Sequence, residues 1–290
     1  MNSENSPSLS KITKDILNEN GIKLNKNLGQ NYLIDKNKRD QIINFGNINK
    51  EDVILEIGTG IGTLTIELAK KAKKVIAIEQ DENICKILAK RLKDEKIDNV
   101  ELLNEDALNV EFPKFNKIIS NLPYQISSPI TFKFLDYDFD LAVLMYQKEF
   151  ANRMNGKVGT KNYSRLSAML YFKCDVEKLT DVSSESFIPK PKIDSTVVKL
   201  TPKENKISEE DFKIYSKFIK ALFQHRNKKI RNALIDSRHV ITKLDKKEIR
   251  KCMNEIEDEK LNQYLKERVV AITPEEILFL SKELNSILNG

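Results

Sequence analysis

A glycine-rich segment behind a short apolar run is the first feature of the sequence that indicates chemistry. The run VILEI (53–57) leads into the loop GTGIG (58–62), and residues 63–74 have helical periodicity. A strand, a glycine loop and a helix bring backbone N–H groups close to a ligand, beginning here at Gly58. The spacing G-x-G-x-G departs from the G-x-G-x-x-G of dinucleotide sites. The alternative is a tight strand–helix turn that binds nothing.

Two acidic residues follow the next predicted strands. Glu79 ends VIAIE (75–79) about 20 residues beyond the glycine loop, where a carboxylate accepts hydrogen bonds from ribose hydroxyls. Asp106 follows VELL (100–103), and its carboxylate suits the amino group of an adenine. Alternatively, Glu79 is a solvated acid and Asp106 caps a short helix. With the glycine loop, the two acids predict a cofactor that contains adenosine.

The segment NLPY (Asn121–Tyr124) directly follows a further predicted strand, KIIS (117–120). It is the fourth such element, because Gly58, Glu79 and Asp106 stand at or after the ends of the three earlier strands. Ligands of open α/β sheets bind outside the carboxyl ends of the strands, so four such elements predict a binding site at one edge. The alternative is an asparagine-initiated turn before proline.

The segment SFIPKPKIDS (186–195) carries two prolines near Phe187. The prolines stiffen the loop, and the ring of Phe187 is then a candidate stacking wall for a flat substrate. The alternative, which the residues alone favour, is a connection before the strand STVVKL with Phe187 in the core.

A basic cluster lies in the second half of the chain. The segment HRNKKIR has no acidic residue and contains Arg226, Lys228, Lys229 and Arg231. The positive charge of such a cluster would attract a phosphate backbone. The alternative is that the segment is a solvated helix face. The two histidines and three cysteines lack metal-ligand spacing, so no metal site is predicted.

The composition is that of a soluble globular protein. The chain has 290 residues, 40% hydrophobic and 32% charged, with a formal net charge of +6. No apolar run approaches the roughly 18 residues of a membrane span. The first residues are polar without an apolar signal core, and the cysteines lie far apart, so we expect a cytoplasmic protein.

The elements that must position these residues alternate between strands and helices up to residue 201. This alternation predicts an α/β fold with a parallel sheet covered on both faces. After Pro202 only helices are predicted: 208–223, 227–236, 244–254, 258–268 and 273–287. The last has Thr273 as its N-cap and Pro274 in its first position.

Three regions are therefore expected. Residues 1–25 form an N-terminal tail and helix, with 1–8 disordered and helix 9–20 ending at Gly21. Residues 26–201 form the ligand-binding domain, in which Gly29 breaks any long helix, and residues 202–290 form a helical domain.

The motifs together resemble a known family. In chain order they are NLGQNYLID, EIGTGIGTLT, VIAIEQD, NEDAL, SNLPYQISSPI, YQKEF, YSRLSAML, SFIPKPKIDSTVVKL and FQHRNKKIRNAL. They resemble the small-subunit ribosomal RNA adenine N6,N6-dimethyltransferases, the KsgA-like enzymes, over residues 26–235. The resemblance implies a Rossmann-like methyltransferase domain that uses S-adenosylmethionine, with a smaller all-helical C-terminal domain that binds rRNA. The implied substrate is a pair of adjacent adenosines in the hairpin near the 3′ end of 16S rRNA, modified during subunit biogenesis.

The resemblance also implies roles for single residues. Asn31 and Leu33 would contact S-adenosylmethionine, and Gly58 would lie beneath its methionine part. Glu79 would hold the ribose and Asp106 the adenine. Asn121 would lie at the reacting end of the cofactor.

On the substrate side, the resemblance implies that Asn121 and the carbonyl of Leu122 accept hydrogen bonds from the target amine. Tyr124 would stack on the flipped base, opposite Phe187. Tyr32, Thr59 and Gln125 stand where the family usually has Phe, Pro and Asn. These replacements are conservative.

The expected partner is 16S rRNA in the small ribosomal subunit or its precursor, and a monomer is expected. One alternative is a methylase of another RNA or DNA adenine, with the same site residues. Another is an RNA-binding assembly factor with a vestigial fold, against which the intact NLPY motif argues. An NAD-dependent dehydrogenase is disfavoured by the glycine spacing and by the lack of a hydride-site His or Lys.

Overall fold

The protein is described by a computed structural model that covers residues 7–22, 30–204 and 207–289. The chain divides into two compact units: Met1–Ala151 with Val176–Pro202, and Asn152–Asp175 with Lys203–Gly290. The predicted break at Gly29 and residues 1–6 of the segment predicted to be disordered (1–8) lie outside the described residues. For Ser8 that prediction is wrong, because Ser8 is the N-cap of the helix Leu9–Glu19 and its hydroxyl accepts the N–H of Lys11 at 3.2 Å.

The first unit is built around a seven-stranded sheet. In chain order the described strands are β1 (Tyr32–Leu33), β2 (Val53–Ile57), β3 (Lys74–Ile78), β4 (Val100–Leu103), β5 (Lys117–Asn121), β6 (Leu141–Gln147), β7 (Cys174–Val182), β8 (Phe187–Ile188) and β9 (Ser195–Pro202). All of them except β1 and β8 belong to the seven-stranded sheet. The order in the sheet is β4-β3-β2-β5-β6-β9-β7. The first five run parallel, as predicted, whereas β9 is antiparallel to β6. β1 and β8 form a separate antiparallel pair.

Amphipathic helices accompany the strands of this unit. They are α1 (Leu9–Glu19), α2 (Lys36–Phe45), α3 (Thr65–Lys71), α4 (Glu82–Asp94), α5 (Ser127–Phe134) and α6 (Lys148–Met154), of which residues 152–154 belong to the second unit. The predicted helix end at Gly21 is confirmed, because Asn20 is the C-cap and Gly21 has a φ of +59°. Asp81 is the N-cap of α4, and its carboxylate accepts hydrogen bonds from two backbone N–H groups. The apolar residues of α4, among them Ile84 and Leu88, are buried.

The second unit is mainly helical in its described residues. Its helices are α7 (Arg165–Lys173), α8 (Glu209–Phe223), α9 (Ile230–Asp236), α10 (Lys246–Asn254), α11 (Glu259–Lys266) and α12 (Pro274–Asn289). The predicted start of the last helix is confirmed: the Thr273 hydroxyl accepts from the Glu276 N–H, and the Glu276 carboxylate accepts from the Thr273 N–H.

The domain borders predicted from the sequence need one correction. Residues 152–175, expected in the ligand-binding domain, belong to the helical unit. The reason is packing between segments that are distant in sequence: the Phe172 ring meets the Tyr215 ring edge-on, and the Tyr215 hydroxyl donates to the Ala168 carbonyl.

Candidate active site at the carboxyl edge of the parallel strands

A cleft opens where β2, β3, β4 and β5 end. It has about 1080 Å³ of free space, which includes its open mouth. The strand register aligns these ends, with Ile57 opposite Ile78 and Asn121 opposite Met145. The cleft is lined by all six predicted cofactor residues, namely Asn31, Leu33, Gly58, Glu79, Asp106 and Asn121, together with Leu122 and Tyr124. The fold therefore brings together residues from five separate segments.

The glycine loop lies close to two neighbouring segments. Gly58 and Gly60 have φ angles of +72° and +54°, a region that favours glycine. A Cβ on Gly58 would lie 2.8 Å from the Pro123 ring, and one on Gly60 would lie 2.9 Å from the Tyr32 ring. The loop thus needs glycine both for its backbone conformation and for this close approach.

Glu79 is held in place by backbone groups of the same cleft. Its Oε2 accepts the N–H of Gly60 at 2.9 Å and its Oε1 accepts the N–H of Asp81 at 3.0 Å. Partial burial raises the pKa of Glu79, while these hydrogen bonds oppose the rise. Each carboxylate oxygen keeps a further lone pair, so the group can accept a ligand hydroxyl.

Glu56 is a cleft residue that the sequence interpretation missed. It lies in β2, is 2% exposed, and its Oε2 has no hydrogen-bond partner among the described residues. Burial, with repulsion from Glu79, raises the pKa of Glu56 to about 8. An acid inside the apolar run VILEI was the signal that could have identified it.

Asp106 begins a turn beside the cleft rather than a helix. Its Oδ1 accepts the N–H of Leu108 at 2.9 Å, and its Oδ2 accepts the side-chain amide of Asn109 at 2.8 Å. From α5, Lys133 donates to the Ala107 carbonyl at 2.8 Å. Asp106 therefore caps a turn rather than the short helix considered above, and it also lines the cleft.

The NLPY segment follows directly from β5. Asn121 ends the strand, and its side-chain Nδ2 donates to the Asn31 backbone oxygen at 3.1 Å. Leu122 is 2% exposed. Tyr124 begins a short 3-10 turn, its hydroxyl lies 2.6 Å from the Ser195 hydroxyl, and burial raises its pKa. The segment thus brings the amide of Asn121 and the ring of Tyr124 into the lining of the cleft.

The prediction that Phe187 forms a stacking wall is corrected by the structure. Its ring is 2% exposed and belongs to the hydrophobic core that also contains Leu33, Ile42 and Val182. The cause is the pairing of β8 with β1, which sets Phe187 opposite Leu33. The core alternative, favoured by the residues alone, is the correct one.

The basic cluster lies in the helical unit, and its members differ in their contacts. The Arg226 guanidinium donates to the carbonyls of Lys161 and Thr160 at 2.9 and 3.3 Å. Arg231 donates to the Met253 carbonyl at 3.1 Å. These two arginines therefore join segments of the unit to each other.

The two lysines of the cluster are exposed. Lys228 forms an ion pair with Asp236 at 2.8 Å. Both lysines line a concave surface with Arg250 and Arg268. This surface could meet a polyanion.

S-adenosylmethionine fits the residues of the cleft. Its ribose needs acceptors such as Glu79, and Glu56 adds a buried carboxyl group to the lining of the cleft, one oxygen of which has no hydrogen-bond partner among the described residues. A Cβ on Gly58 would clash with the Pro123 ring and one on Gly60 with the Tyr32 ring, so these two loop positions have no room for a larger residue. The fold and site define a Rossmann-like methyltransferase, and S-adenosylmethionine is its cofactor.

Residues 21–271 match the profile of the family described as "Ribosomal RNA adenine dimethylase". The chain belongs to this family. No group of three or more His, Cys, Asp or Glu side chains is arranged to hold a metal ion within the described residues. Among the helices described, none has the length and apolar character of a membrane span.

Relatives and solved structures agree with this assignment. A protein of Methanosphaera stadtmanae named "Probable ribosomal RNA small subunit methyltransferase A" is 49% identical over 278 residues, which cover 96% of this chain and 98% of that protein. A Methanococcus maripaludis protein of the same name is 49% identical over 265 residues, with 91% and 98% covered.

A dimethyladenosine transferase from Plasmodium falciparum superposes with a TM-score of 0.74 at 32% identity, covering 88% of this chain and 98% of that one. The 23S rRNA methyltransferase ErmE superposes with a TM-score of 0.63 at 25% identity, covering 90% and 100%.

Proposed function

We propose that this protein dimethylates N6 of two adjacent adenosines in the hairpin near the 3′ end of 16S rRNA, acting on the small ribosomal subunit or its precursor during biogenesis. The observation that carries the proposal is the orientation of Asn121, whose amide is held by Asn31 beside Tyr124 in the cleft. The names of the relatives, which refer to the small ribosomal subunit, support this choice of substrate over another RNA or DNA adenine.

Six residues contact the cofactor in this proposal, and Asn121 is the one at its reacting end. Glu79 accepts from the ribose hydroxyls, Asp106 binds the adenine amino group, and the Gly58 backbone lies beneath the methionine part. Asn31 and Leu33 contact the cofactor from the β1 side of the cleft. S-adenosylmethionine supplies an electrophilic methyl group on a sulfonium.

For methyl transfer, the protein must make a poor nucleophile, the N6 amine of adenine, reactive. The lone pair of adenine N6 is delocalised into the ring. The Asn121 Oδ1 and the Leu122 carbonyl accept the two N6–H groups, which favours a pyramidal nitrogen whose lone pair points at the methyl group. Tyr124 stacks on the flipped base and keeps it in line. The amine loses its proton readily once methylated, so the residues need only position it.

The helical unit binds rRNA in this proposal. Lys228 and Lys229 contact phosphates directly, while Arg226 and Arg231 contribute positive charge and fix the segments around them. We assign the substrate-binding role to a helical domain after residue 202, with residues 152–175 added to it. The enzyme acts as a cytoplasmic monomer.

The decisive experiment incubates the purified protein with labelled S-adenosylmethionine and unmethylated small subunits, and then maps the modified bases. The proposal expects label in two adjacent adenosines near the 3′ end of 16S rRNA, as N6,N6-dimethyladenosine. Subunits that already carry the modification are the matched control and should take no label. Label at other adenines would identify another substrate, and no transfer to any nucleic acid would favour an assembly factor.

A further inference from the structure

Ser195 touches the aromatic residue of the NLPY segment from a strand that has no part in the proposed chemistry. Its hydroxyl oxygen lies 2.6 Å from the hydroxyl oxygen of Tyr124. Ser195 is fully buried, whereas Tyr124 is half-buried and lines the cleft. Burial raises the pKa of Tyr124 above its ordinary value, so the hydroxyl is protonated and either oxygen of the pair can donate.

The direction of β9 explains why a serine from this strand reaches the site. β9 runs antiparallel to β6 and begins with Ser195 opposite Gln147, the last residue of β6. An antiparallel strand starts at the edge where its parallel neighbours end. Ser195 is therefore carried to the same edge of the sheet as Asn121, although it is the first residue of its strand.

The backbone around Ser195 is fixed by its neighbours. The Asp194 carboxylate accepts the N–H of Ser184 at 2.9 Å, and the Asp194 carbonyl accepts the N–H of Lys148 at 3.0 Å. On the other side, the Thr196 hydroxyl donates to Asp181 at 2.7 Å. A rigid backbone on both sides makes the Ser195 hydroxyl a fixed point for the tyrosine.

We propose that Ser195 is a positioning residue for methyl transfer, and that its hydroxyl sets the tilt of the Tyr124 ring on which the target base stacks. The inference rests on the proposed function. A tyrosine ring turns about two side-chain torsions, and a hydrogen bond at its far end restricts both. Because in-line transfer tolerates little misplacement, the bond acts on turnover rather than on cofactor binding.

The test compares Ser195→Ala, Tyr124→Phe and the double variant in the full chain. Tyr124→Phe keeps the stacking ring and removes only the hydroxyl. Methyl transfer to unmethylated small subunits gives kcat and KM, calorimetry gives the affinity for S-adenosylmethionine, and thermal melting reports folding. Ser281→Ala is the matched control, because Ser281 is equally buried but bonds to the Ile277 carbonyl within α12.

Each single variant should lose about tenfold in kcat with cofactor affinity within about twofold, and the double variant should be no slower than either. The inference would be overturned by a wild-type kcat in Ser195→Ala or by losses that multiply in the double variant. A loss of cofactor affinity as large as the loss of kcat would overturn it too. If Ser195→Ala fails to fold, a wild-type kcat in Tyr124→Phe overturns it as well. Absence of transfer by the wild-type protein would instead contradict the proposed function.

Discussion

Asn121 and Asn31, ninety positions apart in the chain, are joined by a hydrogen bond of 3.1 Å from the side-chain Nδ2 to the backbone oxygen. The bond determines which end of the amide is left for a substrate. Because Nδ2 donates to Asn31, Oδ1 is the end that can accept, and no described residue donates to it. An acceptor at this position is what the N–H groups of an exocyclic amine require.

Replacing Asn121 with alanine should therefore slow methyl transfer much more than it weakens cofactor binding. We expect kcat to fall about 100-fold, because the amine loses an acceptor that matters most in the transition state. Affinity for S-adenosylmethionine and the melting temperature should change far less. Steady-state kinetics on unmethylated subunits, with calorimetry beside them, measure the two effects separately.

Asn121→Asp serves as the companion variant. It keeps an acceptor but replaces the donor to Asn31 with a carboxylate oxygen, which repels the backbone oxygen. Turnover should be low in this variant too. Near wild-type rates in Asn121→Ala would show that the amide does not orient the amine.

A second prediction concerns the ribose subsite. Glu79→Gln should weaken binding of S-adenosylmethionine by about 1–3 kcal/mol, since a charge-assisted acceptor becomes a neutral one. Glu101→Gln is the matched control, because Glu101 lies in β4 and pairs with Lys74 at 2.7 Å away from the lining of the cleft. Calorimetry without RNA makes the measurement independent of the substrate. Equal affinities of Glu79→Gln and the wild type would remove Glu79 from the subsite.

The cleft could be predicted largely from the sequence because its residues follow local signals. Glu79, Asp106 and Asn121 each stand just after an apolar run, and parallel strands share one edge. The start of α12 at Thr273 and Pro274 is also encoded locally. These features need no knowledge of which distant segments meet.

The features that the sequence interpretation missed depend on contacts between distant segments. Ser195 reaches the cleft because β9 pairs antiparallel with β6. Residues 152–175 join the helical unit through the contacts of Phe172 and Ala168 with Tyr215. For Phe187 the residues alone favoured the core, and only the family resemblance placed its ring at the substrate; the pairing of β8 with β1 keeps it in the core. No periodicity within one segment specifies its partner.

Glu56 leads to a prediction about pH and stability. Burial raises its pKa from 4.5 to about 8, so between these values the folded protein holds a proton that the unfolded chain has released. The free energy of unfolding should therefore fall as pH rises from about 5 to 8, as far as Glu56 contributes. Glu56→Gln, which is neutral throughout, should gain stability relative to the wild type over this range, on the order of 1–4 kcal/mol.

Urea unfolding of both proteins without cofactor, at pH 5, 7 and 8.5, measures the difference. Glu101→Gln is again a suitable control, since Glu101 is partly exposed. A difference between wild type and Glu56→Gln that stays constant with pH would mean that Glu56 titrates normally in the folded protein.

The last prediction separates RNA contacts from surface charge in the helical unit. Changing Lys228 and Lys229 to glutamine should weaken binding to small subunits and lower its salt dependence, because each lost phosphate contact removes about 0.9 from the slope of log K against log salt. The variant should remain folded, since the exposed Lys228–Asp236 pair is worth roughly 0–1 kcal/mol. Cofactor affinity should not change, because the cleft is lined by residues of the other unit.

The matched control changes Lys86 and Lys90, which are exposed on α4, to glutamine. It removes the same net charge from the first unit, so any general electrostatic attraction falls equally in both variants. Filter binding across a range of salt concentrations gives affinity and slope together. A larger loss of slope for the Lys228–Lys229 variant supports direct phosphate contacts. Equal losses in the two variants would mean that these lysines act only through the net charge of the protein.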